Sequence, residues 1–78
     1  MSTFEQVRYI IATTLKVPEE KITETTKSED IGAWDSLGHV HLMMALEQTF
    51  DILLEVEDFP ALNSVQAITG YLKEHGIH

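Results

Sequence analysis

The chain has 78 residues, no cysteine, and 13 acidic against 5 basic residues, for a formal net charge of −8. That length gives one domain over residues 1–78 with a single small core, and it excludes both a second domain and the deep, water-excluding pocket an autonomous enzyme would need. Lack of cysteine removes any disulfide framework, thiolate metal site or cysteine nucleophile. The acidity disfavours nucleic acid, whose phosphates need clustered Lys and Arg, so partners are expected to present basic surfaces.

The first periodic segment begins at Ser2 or Thr3, either of which can cap a helix, with Gln6 completing a capping-box pattern to Thr3. Phe4, Val7, Ile11 and Leu15 recur at helical spacing and Ile10 widens the stripe. With Pro18 as a stop, the spacing predicts an amphipathic helix over 3–16. The same segment carries Glu5, Gln6 and Arg8 among its apolar residues, a pattern unlike a signal peptide. No apolar run approaches the roughly 20 residues of a membrane span, so a soluble cytoplasmic monomer is expected.

From Val17 to Trp34 no period holds, which predicts a long loop; connections of this length in small domains usually have a function. Ile22, Ile31 and Trp34 are expected to pin it to the bundle, with Gly32 as a turn signal and Asp35 as the next helix cap. The second helix then runs from Asp35 through Ser36 to about Phe50. At about 100° per residue, Leu42, Met43, Leu46 and Phe50 gather on one side, and Leu37, Val40 and Met44 on the side roughly opposite. The first cluster suffices for a core; periodicity alone leaves the second as further core or as a strip for a partner or ligand.

After Ile52, Leu53 and Leu54, the acidic Glu55, Glu57 and Asp58 precede Phe59-Pro60-Ala61-Leu62, which predicts one short helical turn. Asn63 or Ser64 caps a last helix, with Gln66 as box partner to Asn63. Val65, Ile68 and Leu72 form its core stripe with Tyr71 alongside; Gly76 ends it, and Lys73 and His75 suit its negative end. Without strand alternation or repeats, the fold class predicted is all-α: a small four-helix bundle of three main helices and one short one, with the long loop between the first two.

The sharpest local feature is Trp34-Asp35-Ser36-Leu37. Ser36 falls in the first turn of a helix, where free N–H groups and the positive dipole end favour an anion, so a phosphate esterified to Ser36 would meet a prepared site. An isolated Asp-Ser-Leu is common, and its weight comes from context. Asp35-Ser36-Leu37, then Val40, Leu42, Met44-Ala45-Leu46-Glu47 and Phe50-Asp51, resemble the prosthetic-group motif and recognition helix of the acyl carrier protein family. Val65-Gln66-Ala67 resembles the start of that family's last helix, and the order of elements agrees along essentially the whole chain.

The resemblance implies that Ser36 accepts 4′-phosphopantetheine from coenzyme A, in a magnesium-dependent reaction run by a separate phosphopantetheinyl transferase. The chain would be a tether and not an enzyme. The arm's thiol would hold an acyl or aminoacyl group as a thioester, supplied by an acyl- or aminoacyl-loading enzyme and delivered to acyltransferases or synthases of fatty acid, polyketide or another biosynthesis. By the same resemblance Asp35 helps dock the transferase, although helix capping alone accounts for it. Leu37 is expected at a partner contact, and Val40, His41, Met44 and Glu47 on the same helix are further docking candidates. Spacing leaves Val40 and Met44 between partner surface, acyl-chain contact and core.

Typical carriers of fatty acid synthesis follow Asp-Ser-Leu with another acidic residue, whereas here Gly38, His39, His41, Gln48 and Thr49 dilute the helix's charge. Asp35, Glu47, Asp51, Glu55, Glu57 and Asp58 remain for docking onto basic surfaces. This predicts a dedicated carrier rather than a housekeeping one. Asp-Ser-Leu-Gly is similar to the D-alanyl carrier proteins, and a Trp before the Asp resembles discrete carriers of specialised pathways, which keeps aminoacyl cargo open.

His39 and His41, with His75 and His78, invite a metal-site reading, but residues two apart do not share a helix face and no carboxylate or cysteine completes a spacing, so no metal is expected. On a docking face, His39 and His41 would make partner affinity pH-dependent. A serine hydrolase built on Ser36 lacks a Gly-x-Ser-x-Gly elbow and an oxyanion site. An acidic helical adaptor without cofactor shares the fold and the charge.

Overall fold

In the computed structural model, which describes residues 2–77, Ser2 opens α1 (Thr3–Leu15): its hydroxyl accepts the Glu5 amide and the Glu5 carboxylate accepts the Ser2 amide, both at 3.1 Å. The capping box is therefore closed by Glu5, and the Thr3–Gln6 pairing suggested by the sequence is not the one used. Val7, Ile10, Ile11 and Leu15 are buried along one face, and the helix ends at Leu15, one residue before the predicted bound, with Lys16 as its cap in the left-handed conformation (φ 59°).

The long connection is ordered by anchors and by its backbone. Ile22, Ile31 and Trp34 are buried as expected. Between them lie two three-residue 3₁₀ turns, Glu19–Lys21 and Ser28–Asp30, too short to leave any period in the sequence. The loop's middle is tied to the start of the last helix: Lys27 and Ser64 form an isolated antiparallel bridge, the Ser28 amide donates to the Asn63 carbonyl (2.9 Å), and the Val65 amide to the Thr26 carbonyl (3.0 Å). Buried polar backbone is thereby satisfied without a sheet.

α2 (Ser36–Phe50) buries Leu42, Met43 and Leu46, and α3 (Val65–Glu74) buries Val65, Ile68 and Leu72. α1 packs against both. Ser64 caps α3 by accepting the Ala67 amide at 3.1 Å, which assigns the cap to Ser64 and not Asn63, and Gly76 leaves it with φ 84°. The short helix is a 3₁₀ segment, Val56–Ala61, with Pro60 inside it; it starts three residues before the predicted turn, and Leu62 falls just past its end as a buried anchor. The architecture is three main helices and one short one, and the described residues contain no strand beyond the single bridge.

Candidate functional site

Asp35 fixes where α2 begins. Its Oδ1 accepts the Gly38 amide at 2.8 Å while its carbonyl accepts the His39 amide at 2.7 Å, so Ser36 is the first helical residue, and it is exposed. The loop crosses this first turn so closely that a Cβ on residue 38 would be driven into the Ala33 carbonyl oxygen, and would lie 3.1 Å from Leu15 Cδ2. Gly38 is thus a steric requirement of the loop's path, where the sequence alone shows only a missing charge. Asp35 also occupies part of the anion position expected for a phosphate: the Gly38 amide is taken, and of the first turn the Ser36 and Leu37 amides remain without an intrahelical acceptor.

Beside Ser36 lies an open cleft of about 370 Å³, lined also by Ser28, Trp34, Asp35, His39, Pro60 and Asn63. It joins the loop, the start of α2 and the short helix. His39 holds these together: the Trp34 indole N–H donates to His39 Nδ1 at 2.9 Å, and His39 Nε2 lies 2.7 Å from the Phe59 carbonyl. The imidazole stacks on the Trp34 ring (24° between planes) and meets the Phe59 ring edge-on (87°). Helical angle already places residue 39 with Leu42, Met43 and Leu46, yet its partners come from position 34 and a backbone atom at 59, which no local spacing reveals.

His39 is therefore turned away from the outer face of α2, while His41 is exposed on it. His75 is elsewhere, its ring stacked on Tyr71 at 4.1 Å with Nδ1 2.8 Å from the Tyr71 carbonyl; His78 lies outside the described residues. Among the described residues no cluster of three or more His, Asp or Glu could hold a metal. No hydrogen bond joins Ser36 to His39 among the described residues, and both nitrogens of that ring are engaged by other groups, so the hydrolase pairing is not formed.

The second apolar strip of α2 is not core: Leu37, Val40 and Met44 are 66%, 44% and 52% exposed. Leu53 and Val56, beyond the helix end, are also exposed. Glu47 has a structural partner, its Oε2 accepting the Leu54 amide at 2.9 Å, so it ties down the linker after α2 as well as standing among the docking candidates. Tyr71 on α3 is held above the ordinary phenol range, first by burial and then by the carboxylates of Asp58 and Glu55.

Two comparisons bear on this arrangement. The family model described as "Phosphopantetheine attachment site" matches residues 5–72. Among solved structures, the solution NMR structure of a holo acyl carrier protein from Geobacter metallireducens superposes with a TM-score of 0.77 at 25% sequence identity, covering 100% of this chain and 97% of that one.

Proposed function

The chain belongs to the phosphopantetheine attachment-site family, and from that membership we propose that Ser36 is the residue through which it carries its prosthetic arm. It is a carrier of the acyl carrier protein type, without catalysis of its own, whose covalent 4′-phosphopantetheine is installed by a separate transferase. The observation that supports Ser36 is its place: exposed, first in α2, with the open cleft alongside and no side chain closing over it.

The residues present fit the group. An exposed hydroxyl can reach the phosphorus of coenzyme A, forming the Oγ–P bond as the adenosine half departs and the serine proton passes to the transferase or solvent. The first-turn amides of Ser36 and Leu37 would be available to the phosphate, and Ser28 and Asn63 line the cleft beside Ser36 with polar side chains. When bound, the arm supplies a terminal thiol that holds cargo as a thioester. The chain's own residues position and present; they do no bond chemistry.

The cargo proposed is an acyl group of a dedicated biosynthetic pathway, in line with the holo acyl carrier relative and with a helix that bears glycine and histidines in place of carboxylates. Docking is proposed on the exposed face of α2, with Leu37, Val40, Met44 and His41 at its centre and Asp35 and Glu47 beside them, against transferase, loading enzyme and synthase surfaces that are basic. No described helix is long and apolar enough to cross a membrane; a cytoplasmic, monomeric carrier is the proposed setting. The test is incubation with coenzyme A, magnesium and a broad-specificity transferase, followed by intact mass of wild type and Ser36→Ala. One phosphopantetheine increment on the wild type and none on the variant is expected. An unmodified wild type, or equal modification of both, overturns the assignment.

A further inference from the structure

The Trp34–His39–Phe59 contact has a chemical asymmetry. An indole N–H can only donate and a backbone carbonyl can only accept. His39 Nδ1, 2.9 Å from the indole nitrogen, must therefore carry a lone pair, and Nε2, 2.7 Å from the Phe59 oxygen, must carry the hydrogen. Both bonds exist together only in the neutral Nε2–H tautomer. A second proton would go to Nδ1 and set two N–H groups facing each other, beside a Trp34 that is only 5% exposed.

We propose that His39 is a positioning residue that clasps both Trp34 of the loop and the short helix Val56–Ala61 to the Ser36 end of α2, and that protonation of its ring opens the Trp34 side of the clasp, loosening the cleft beside Ser36, while the Phe59 side holds. Protonation breaks the Trp34 bond first. The Phe59 bond can survive it, since Nε2–H still donates, so the ring swings about Phe59 and the Trp34 side of the cleft loosens.

The charged surroundings set the opposing pulls. Asp35, in the same cleft, is committed to the Gly38 amide. Glu29 and Asp30 stand on the loop's 3₁₀ turn, Asp30 accepting the Lys27 amide at 2.9 Å, and Glu55, Glu57 and Asp58 stand at the short helix. Against them stands the place of His39 in the first turn or so of α2, where the helix dipole disfavours a positive charge. Lys27 flanks the turn, but no lysine or arginine lines the cleft; from α3, Tyr71 is the titratable group facing Asp58 and Glu55, and His41 points outward from α2. The clasp is therefore a local proton-sensitive contact in a domain with a single tryptophan to report on it.

The proposal uses the Ser36 assignment only for its consequence, and its test needs no prosthetic arm. In the unmodified chain, long-range 1H–15N spectra of the imidazoles are expected to show His39 as the Nε2–H tautomer at neutral pH. On acidification, the Trp34 indole N–H resonance and the amides of 56–61 should shift with the same midpoint as the His39 ring, while the amides of 19–21 do not follow it. In His39→Phe, which keeps a flat ring, that step should vanish from Trp34 fluorescence and from the 56–61 amides. In His39→Asn, whose side-chain oxygen can still accept from Trp34, the indole shift should be restored without the titration. An Nδ1–H tautomer, a His39 titration that leaves Trp34 and 56–61 unmoved, or a step that persists in His39→Phe overturns the clasp; should that variant fail to fold, the wild-type tautomer and titration decide alone. Loss of Ser36 modification with an intact His39 step would fault the attachment site and not the clasp.

Discussion

Gly38 sits where the loop's backbone meets the first turn of α2, and one added methyl group measures how tight that meeting is. Replacing a helical glycine by alanine ordinarily stabilises by about 1 kcal/mol. Here the new Cβ is driven into the Ala33 carbonyl, a backbone atom that cannot rotate aside, and overpacking of this kind costs about 1–3 kcal/mol. Gly38→Ala is therefore expected to lose stability on balance, by up to about 2 kcal/mol in urea unfolding, and Gly38→Glu to lose more. A raised or unchanged midpoint for Gly38→Ala would show that the loop yields freely. The residue scale is also where the sequence was least legible. Asp35 as a cap and Ser36 as the first helical residue follow from local chemistry, but the need for glycine at 38 and the pairing of His39 depend on where Ala33, Trp34 and Phe59 come to rest.

At the scale of elements, α2 is used on two sides. Leu42 and Met43 are fully buried, so Leu42→Ala and Met43→Ala should each cost about 2–5 kcal/mol of stability by denaturant titration. Leu37→Ser and Met44→Ser, on the exposed strip, should stay within about 0.5 kcal/mol of wild type yet slow modification by the transferase. Stability losses on both sides would make the strip part of the core after all. The short helix and α3 are linked by a different probe. Because Tyr71 is held above its ordinary value by burial and by Asp58 and Glu55, its contribution to stability is complete below the usual phenol range and is lost as pH rises through the raised folded value. Asp58→Asn should move the tyrosinate absorbance step of Tyr71 to lower pH; an unmoved step would mean that Asp58 does not face α3. Helix periods gave α1, α2 and α3 to within a residue or two of their observed ends, because each has a buried stripe long enough to repeat. The two three-residue 3₁₀ turns of the loop were not legible, since pieces that short leave no period, whereas the short helix was legible at Phe59–Pro60–Ala61 though not in its first three residues.

The molecule as a whole carries a net charge of −8, and its docking onto basic partners should be electrostatically assisted. Association with the transferase is expected to slow as ionic strength rises past about 0.1 M, where the Debye length shrinks to about 10 Å, with dissociation changing much less. A salt-independent association rate would leave the apolar strip as the main determinant. Composition and element order made the bundle and its acidity readable from the start, because both are sums over many residues; what joins the loop to α3, the bridge between Lys27 and Ser64, belongs to tertiary contact alone. The central claim is the identity of the modified residue. It is tested most directly by fragmenting the coenzyme A-treated protein in a mass spectrometer and locating the phosphopantetheine. The account places it on Ser36, within Trp34–Leu37; an adduct on Ser28, which lines the same cleft, on Ser64, or on no residue at all would contradict it.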